Sequence, residues 1–149
     1  MKITTKGRYG ARVMLELAMR DNQKPTPLRK LARDQEISAK YLEQILIPLM
    51  SAGLVKSVRG ARGGYMLGKP ANEIHLYDIV RSLEGPLAPV ECVMDAEYCD
   101  RVGGCVVHLV WGEMEGLLVD FLSSITLDQL ADRQRANNEI CPPPSLSII

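Results

Sequence analysis

Residues 37–46 read Ile37-Ser38-Ala39-Lys40-Tyr41-Leu42-Glu43-Gln44-Ile45-Leu46, and residues 58–65 read Val58-Arg59-Gly60-Ala61-Arg62-Gly63-Gly64-Tyr65. The first stretch opens on a serine, a favoured helix N-cap, and its Leu42, Ile45, Leu46 and the later Leu49 recur at helical spacing. Its other face shows Lys40, Tyr41, Glu43 and Gln44 near the helix start. The second stretch is a turn of glycine and arginine between two short apolar runs, 54–58 and 65–67, as expected of a β-hairpin. Gly53 is a natural stop between helix and hairpin. Pro48 removes one helical hydrogen bond, so a kink or early tightening is expected there.

Upstream, Val13, Met14, Leu17 and Ala18 fall on one face of an expected helix over 6–21. Residues 22–25 break it. Thr26-Pro27 then reads as an N-cap followed by a first-turn proline, opening a helix to about Gln35 with Leu28, Leu31 and Ala32 inward. Helix, helix, helix, hairpin is the order of a winged helix-turn-helix. The expected fold is therefore mainly α with a small β-hairpin, with residues 1–72 forming one unit.

Downstream, 76–84 reads as a helix with Leu76, Ile79, Val80 and Leu83 on one side. Residues 86–104 have no clear periodicity. From 105 to 124 a long helix carries Val107, Val110, Met114, Leu117 and Phe121 at alternating three and four spacing, as in a coiled-coil seam. Leu118, Leu122 and Ile125 widen that stripe. Thr126 is placed to cap a last helix over 127–137, and the tail from Cys141 into Pro142, Pro143 and Pro144 reads as extended. Residues 73–149 make the second expected unit.

Net charge is zero, yet residues 1–70 carry 14 Lys and Arg against 5 Asp and Glu, and residues 71–149 carry 4 against 13. Such segregation points to a polyanion partner for the first half. An α-helix fits the DNA major groove, where Ser38, Lys40, Tyr41, Glu43 and Gln44 would face base edges. Gln44 matches adenine, and Glu43 matches the cytosine amino group while repelling misplaced phosphates. Arg59, with Gly60 and Arg62 at the hairpin tip, suits a narrow minor groove. Lys2, Lys6, Arg8, Arg29 and Lys30 are the candidate phosphate contacts.

The second half holds Cys92, Cys99, Cys105 and His108, spaced Cys-x6-Cys-x5-Cys-x2-His. The start lacks the apolar core of a signal peptide, and no apolar run approaches the ~20 residues of a membrane span. A cytosolic chain rarely keeps disulfides, so clustered cysteines point to metal or redox chemistry. Thiolates suit iron–sulfur clusters and zinc alike. Cys105 and His108 are one helical turn apart and can face one point. Structural zinc sites usually pair cysteines two to four residues apart, and no such pair occurs here. Buried free cysteines without a cofactor are the plainer alternative. No phosphate-binding glycine loop or nucleophile motif suggests an enzyme. His75 reads as a surface or capping residue.

Over nearly its whole length the chain resembles the IscR-type regulators of the Rrf-two family, bacterial winged-helix transcription factors. The resemblance rests on the opening Met1-Lys2-Ile3-Thr4-Thr5-Lys6-Gly7-Arg8-Tyr9-Gly10, on the two stretches quoted first, and on the cysteine loop. It implies a cytoplasmic homodimer, paired through the helix of residues 105–124, on a palindromic operator of double-stranded DNA. It also implies a 2Fe–2S cluster on Cys92, Cys99, Cys105 and His108, and repression of iron–sulfur assembly genes by the loaded protein. Glu43 matches the position that discriminates between site classes in that branch. A nitric-oxide-sensing sister branch shares the three cysteines but uses a 4Fe–4S cluster and often an acidic ligand near the N-terminus. Here Arg8 and Tyr9 occupy that region and His108 is present, which favours the assembly-gene branch. The gap from Cys92 to Cys99 is one residue longer than in the best-known relatives, and Ala61-Arg62 and Pro48 are departures. A small iron–sulfur electron carrier is the alternative from another class, and the basic half argues against it.

Overall fold

The computed structural model describes residues 2–20 and 24–141. Helix α1 spans Thr5–Met19, α2 Leu28–Asp34 and α3 Ala39–Ser51; strands β1 Val55–Val58 and β2 Gly64–Leu67 follow. Helix α4 spans Leu76–Glu84, the short α5 Glu91–Met94, α6 Val106–Ser123 and α7 Leu127–Ile140. The expected order of three helices and a hairpin is therefore present, with the antiparallel register Val55 to Leu67 and Val58 to Gly64. The expected extension of the first helix to 21, the break at 22–25 and the proline tail fall partly or wholly outside the described residues.

The core is built from the faces that helical spacing marks. Val13, Met14 and Leu17 of α1, Leu31 of α2, and Leu42, Ile45, Leu46 and Leu49 of α3 are buried together with Leu54, Val55 and Leu67 of the hairpin. Ile74, Ile79 and Leu127, from beyond residue 72, join the same cluster. Two backbone bonds bring them there: Leu127 N–H donates to Ile74 O at 2.8 Å, and Leu76 N–H to Ile125 O at 2.9 Å. Helix α7 thus starts beside the start of α4 and packs back onto α1.

One local expectation changes. Thr26 is not the N-cap of α2; Pro27 holds that place, with no side-chain cap. The Thr26 backbone is engaged elsewhere, donating to Tyr65 O at 2.8 Å and accepting from Tyr65 N–H at 2.9 Å. It acts as a one-residue third strand that fastens the wing to the start of α2. Helix α3 continues past Pro48 to Ser51, where the chain turns through Gly53 at φ 72°. His75 does cap α4, its N–H donating to Asp78 Oδ2 at 2.9 Å. Among the described residues, no helix is long and apolar enough to cross a membrane.

Candidate nucleic-acid interface and thiol loop

Ser38 starts α3 in extended backbone, and its Oγ accepts from Tyr41 N–H at 3.1 Å. The cap uses an acceptor lone pair, so the hydroxyl proton remains available to a ligand. Lys40, Glu43 and Gln44 are exposed on the outward face, and Tyr41 is half-buried. Sequence spacing missed why. The Tyr41 ring meets Tyr9 of α1 edge to face, with centroids 6.3 Å apart at 89°. Arg8 and Arg12 lie over the Tyr9 ring at 5.4 and 5.3 Å. Two cations are held beside the first turn of α3, where a guanidinium gains from the ring face. No local signal links positions so far apart in sequence.

Arg59, Gly60 and Arg62 are exposed at the wing tip, as expected. Among the described residues, Lys40, Arg59 and Arg62 enter no ion pair, whereas Arg20, Lys30 and Arg33 all engage Asp34. Lys30, expected as a phosphate contact, is therefore shared with a carboxylate 3.7 Å away. Burial pushes the Asp34 carboxyl up, but the Arg33 hydrogen bond and the charges of Lys30, Arg33 and Arg20 hold it below the usual carboxylate range. The wing and the α3 face keep their positive charge free, which is what recognition of a polyanion requires.

The thiol loop is less assembled. Cys92 lies in α5 and shares a groove with Cys99, lined also by Pro89, Met94 and Tyr98. Cys105 is the residue before α6, and His108 falls in the first turn of that helix. All three thiols are free and half-buried. Among the described residues, no three His, Cys, Asp or Glu side chains converge as a metal site. His108 nevertheless carries an unfilled requirement: its Nδ1 is buried and has no hydrogen-bond partner. Such a nitrogen costs stability unless something occupies it. Three soft thiols and an unpaired imidazole nitrogen fit an iron–sulfur cluster by donor chemistry.

Helix α6 has no buried residue, and Val106, Leu117 and Phe121 are 71%, 71% and 62% exposed. Leu109, Val107 and Val110 extend the same exposed apolar surface. Trp111, Met114, Leu118 and Leu122 are half-buried on a helix that leans on α4 and α5.

The family model of iron-dependent transcriptional regulators, Rrf2, matches residues 3–133. The solved structure of CymR, described as the global cysteine regulator of B. subtilis, is 44% identical, covers 89% of this chain and 98% of its own, and superposes with a TM-score of 0.72. The structure of T. potens IscR is 35% identical over 96% of this chain and 93% of its own, with a TM-score of 0.73. The transcriptional regulator IscR of Pectobacterium atrosepticum is 38% identical over 93% of this chain and 84% of its own length. A winged helix-turn-helix with unpaired cations, a family model matching residues 3–133, and relatives named as regulators that match over most of their length place this chain in the Rrf2 family of transcriptional regulators.

Proposed function

We propose that this protein is a cytoplasmic, homodimeric DNA-binding repressor of iron–sulfur assembly genes, whose choice of palindromic operator depends on a 2Fe–2S cluster. The observation that carries the sensing half is His108: a buried, unpartnered Nδ1 one turn into α6 from Cys105. Cys92, Cys99, Cys105 and His108 would hold the group. When bound, it supplies metal–ligand bonds that tie an irregular stretch to the first turn of α6.

The rest follows from this chain's own residues. Ser38, Lys40, Tyr41, Glu43 and Gln44 face base edges, while Arg59, Gly60 and Arg62 enter the neighbouring minor groove. The apolar face of α6 pairs with a second copy, setting two reading heads on two half-sites. Ordering of residues 92–108 biases that dimer helix. Ligation shifts operator choice only by its differential affinity for the two arrangements, about 1–3 kcal/mol in typical couplings.

Anaerobic purification with visible and EPR spectra, and with iron and sulfide counts, tests the assignment. Two irons and two sulfides per chain are expected, lost in Cys92→Ala, Cys99→Ala or Cys105→Ala while duplex binding persists. A full cluster in the triple variant would refute it, and four irons per chain would favour the nitric-oxide-sensing class.

A second reading has its own support. The thiols do not converge, and CymR is described as a cysteine regulator. A repressor of sulfur-amino-acid genes that works without a cluster gives colourless, iron-free protein that binds its operator unchanged under anaerobic conditions.

A further inference from the structure

Helix α4 ends on Glu84, a carboxylate at the negative end of its own helix dipole, where it works against α4. Helix α1 has no acidic residue in its first turn. The two anomalies answer each other. Thr4, the N-cap of α1, donates its backbone N–H to Glu84 Oε1 at 3.0 Å and its hydroxyl to the same oxygen at 2.7 Å. Thr4 Oγ1 in turn accepts from Gly7 N–H at 3.3 Å. A chain of bonds thus runs from the first turn of α1 to the last residue of α4, and it places a negative charge at the positive end of α1.

The packing is shaped for this contact. A Cβ on Gly7 would overlap Glu84 Oε1, and one on Gly10 would overlap Leu83 Cδ1. Both glycines are buried, so the last turn of α4 lies directly on the α1 backbone. What Glu84 holds is also defined. Lys2, Lys6 and Arg8 flank Thr4, and Lys6 lines one open groove with Gln44 of α3. The first turn of α1 therefore borders the base-reading face. On the other side of Glu84 the chain turns at once through Gly85, at φ 80°, into the stretch that carries Cys92, Cys99 and Cys105.

We infer that Glu84 is a positioning residue for DNA binding: it fixes Lys2, ahead of α1, and Lys6, in its first turn, against the operator phosphates, and it makes this N-terminal end answer to the thiol loop. The second clause rests on the cluster-dependent reading above; the first does not.

The test uses the full chain and a duplex that it selects from a random-sequence pool, with Kd measured across salt. Each phosphate contact contributes roughly 0.9 to the slope of log affinity against log salt. Glu84→Ala should weaken operator binding about tenfold and lower that slope by roughly 1–2. Glu84→Gln keeps the oxygen acceptor and should stay within about threefold of wild type. Thr4→Val, a milder change, should fall between them. A purely structural loss lowers the active fraction without changing the slope, so an unchanged slope overturns the positioning role whatever the apparent Kd. In protein with and without its cluster, Glu84→Ala should bring the two affinities together while the visible spectrum stays intact. A preserved ratio overturns the coupling. If wild type shows no difference between loaded and cluster-free forms, yet Glu84→Ala still lowers the slope, the cluster reading fails and the positioning role stands.

Discussion

Replacing Gly64 by alanine isolates the wing from everything else in the reading head. Gly64 sits at φ 156°, and a Cβ there would overlap the carbonyl of Thr26. That neighbour is backbone and cannot rotate away. The variant must release the two bonds joining Thr26 to Tyr65, of 2.8 and 2.9 Å. Each backbone hydrogen bond contributes about 0.5–1.5 kcal/mol net, so losing both costs about 1–3 kcal/mol. The unfavourable backbone region adds about 1–3 kcal/mol for a residue with a side chain. The sum is a destabilisation of about 2–6 kcal/mol, expressed first as undocking of the hairpin from the start of α2. Urea unfolding measures the total, and amide exchange at Tyr65 reports the undocking. DNA affinity should fall with loss of the Arg59 and Arg62 contribution, while the α3 face stays intact. Stability within about 0.5 kcal/mol of wild type, with the Tyr65 amide still protected, would refute the reasoning.

Leu127→Ala removes a fully buried side chain at the point where α7 joins the core, and should cost about 2–5 kcal/mol, read as a lower urea midpoint at unchanged slope. Leu117→Glu charges the exposed apolar face of α6 and should sediment as a folded monomer where the proposed dimer is expected of wild type, with DNA affinity falling roughly a hundredfold as the proposed half-sites lose linkage. Asp34→Asn removes a carboxylate that burial pushes up but that the Arg33 hydrogen bond and the charges of Lys30, Arg33 and Arg20 hold below the usual carboxylate range. A depressed folded pKa stabilises above the unfolded value and is lost as pH falls through the folded one. The variant should therefore be less stable than wild type at neutral pH, by about 1 kcal/mol for a surface network, and the gap should close as pH falls from the usual carboxylate range through the lowered pKa of the folded protein.

What the sequence determined by itself was everything that neighbours along the chain decide. Helical spacing marked the buried faces of α1, α3 and α4; Ser38 and Thr126 marked helix starts; glycines bracketed the wing. Charge segregation and the outward residues of α3 gave the partner class, because exposure on an amphipathic helix follows from its buried face. The spacing of Cys92, Cys99, Cys105 and His108 gave a donor set, but composition carries no distances, and among the described residues no three of these side chains converge in the fold. Tertiary structure alone decided the remainder. It took Thr26 from the expected helix cap and used it to hold the wing. It set the Tyr9 and Tyr41 rings edge to face, brought α7 back beside Ile74, and set Glu84 against Thr4. Each of these joins residues far apart in sequence through a pair of hydrogen bonds or a ring contact. Local periodicity says which face of a helix is buried, and only packing says which neighbour buries it.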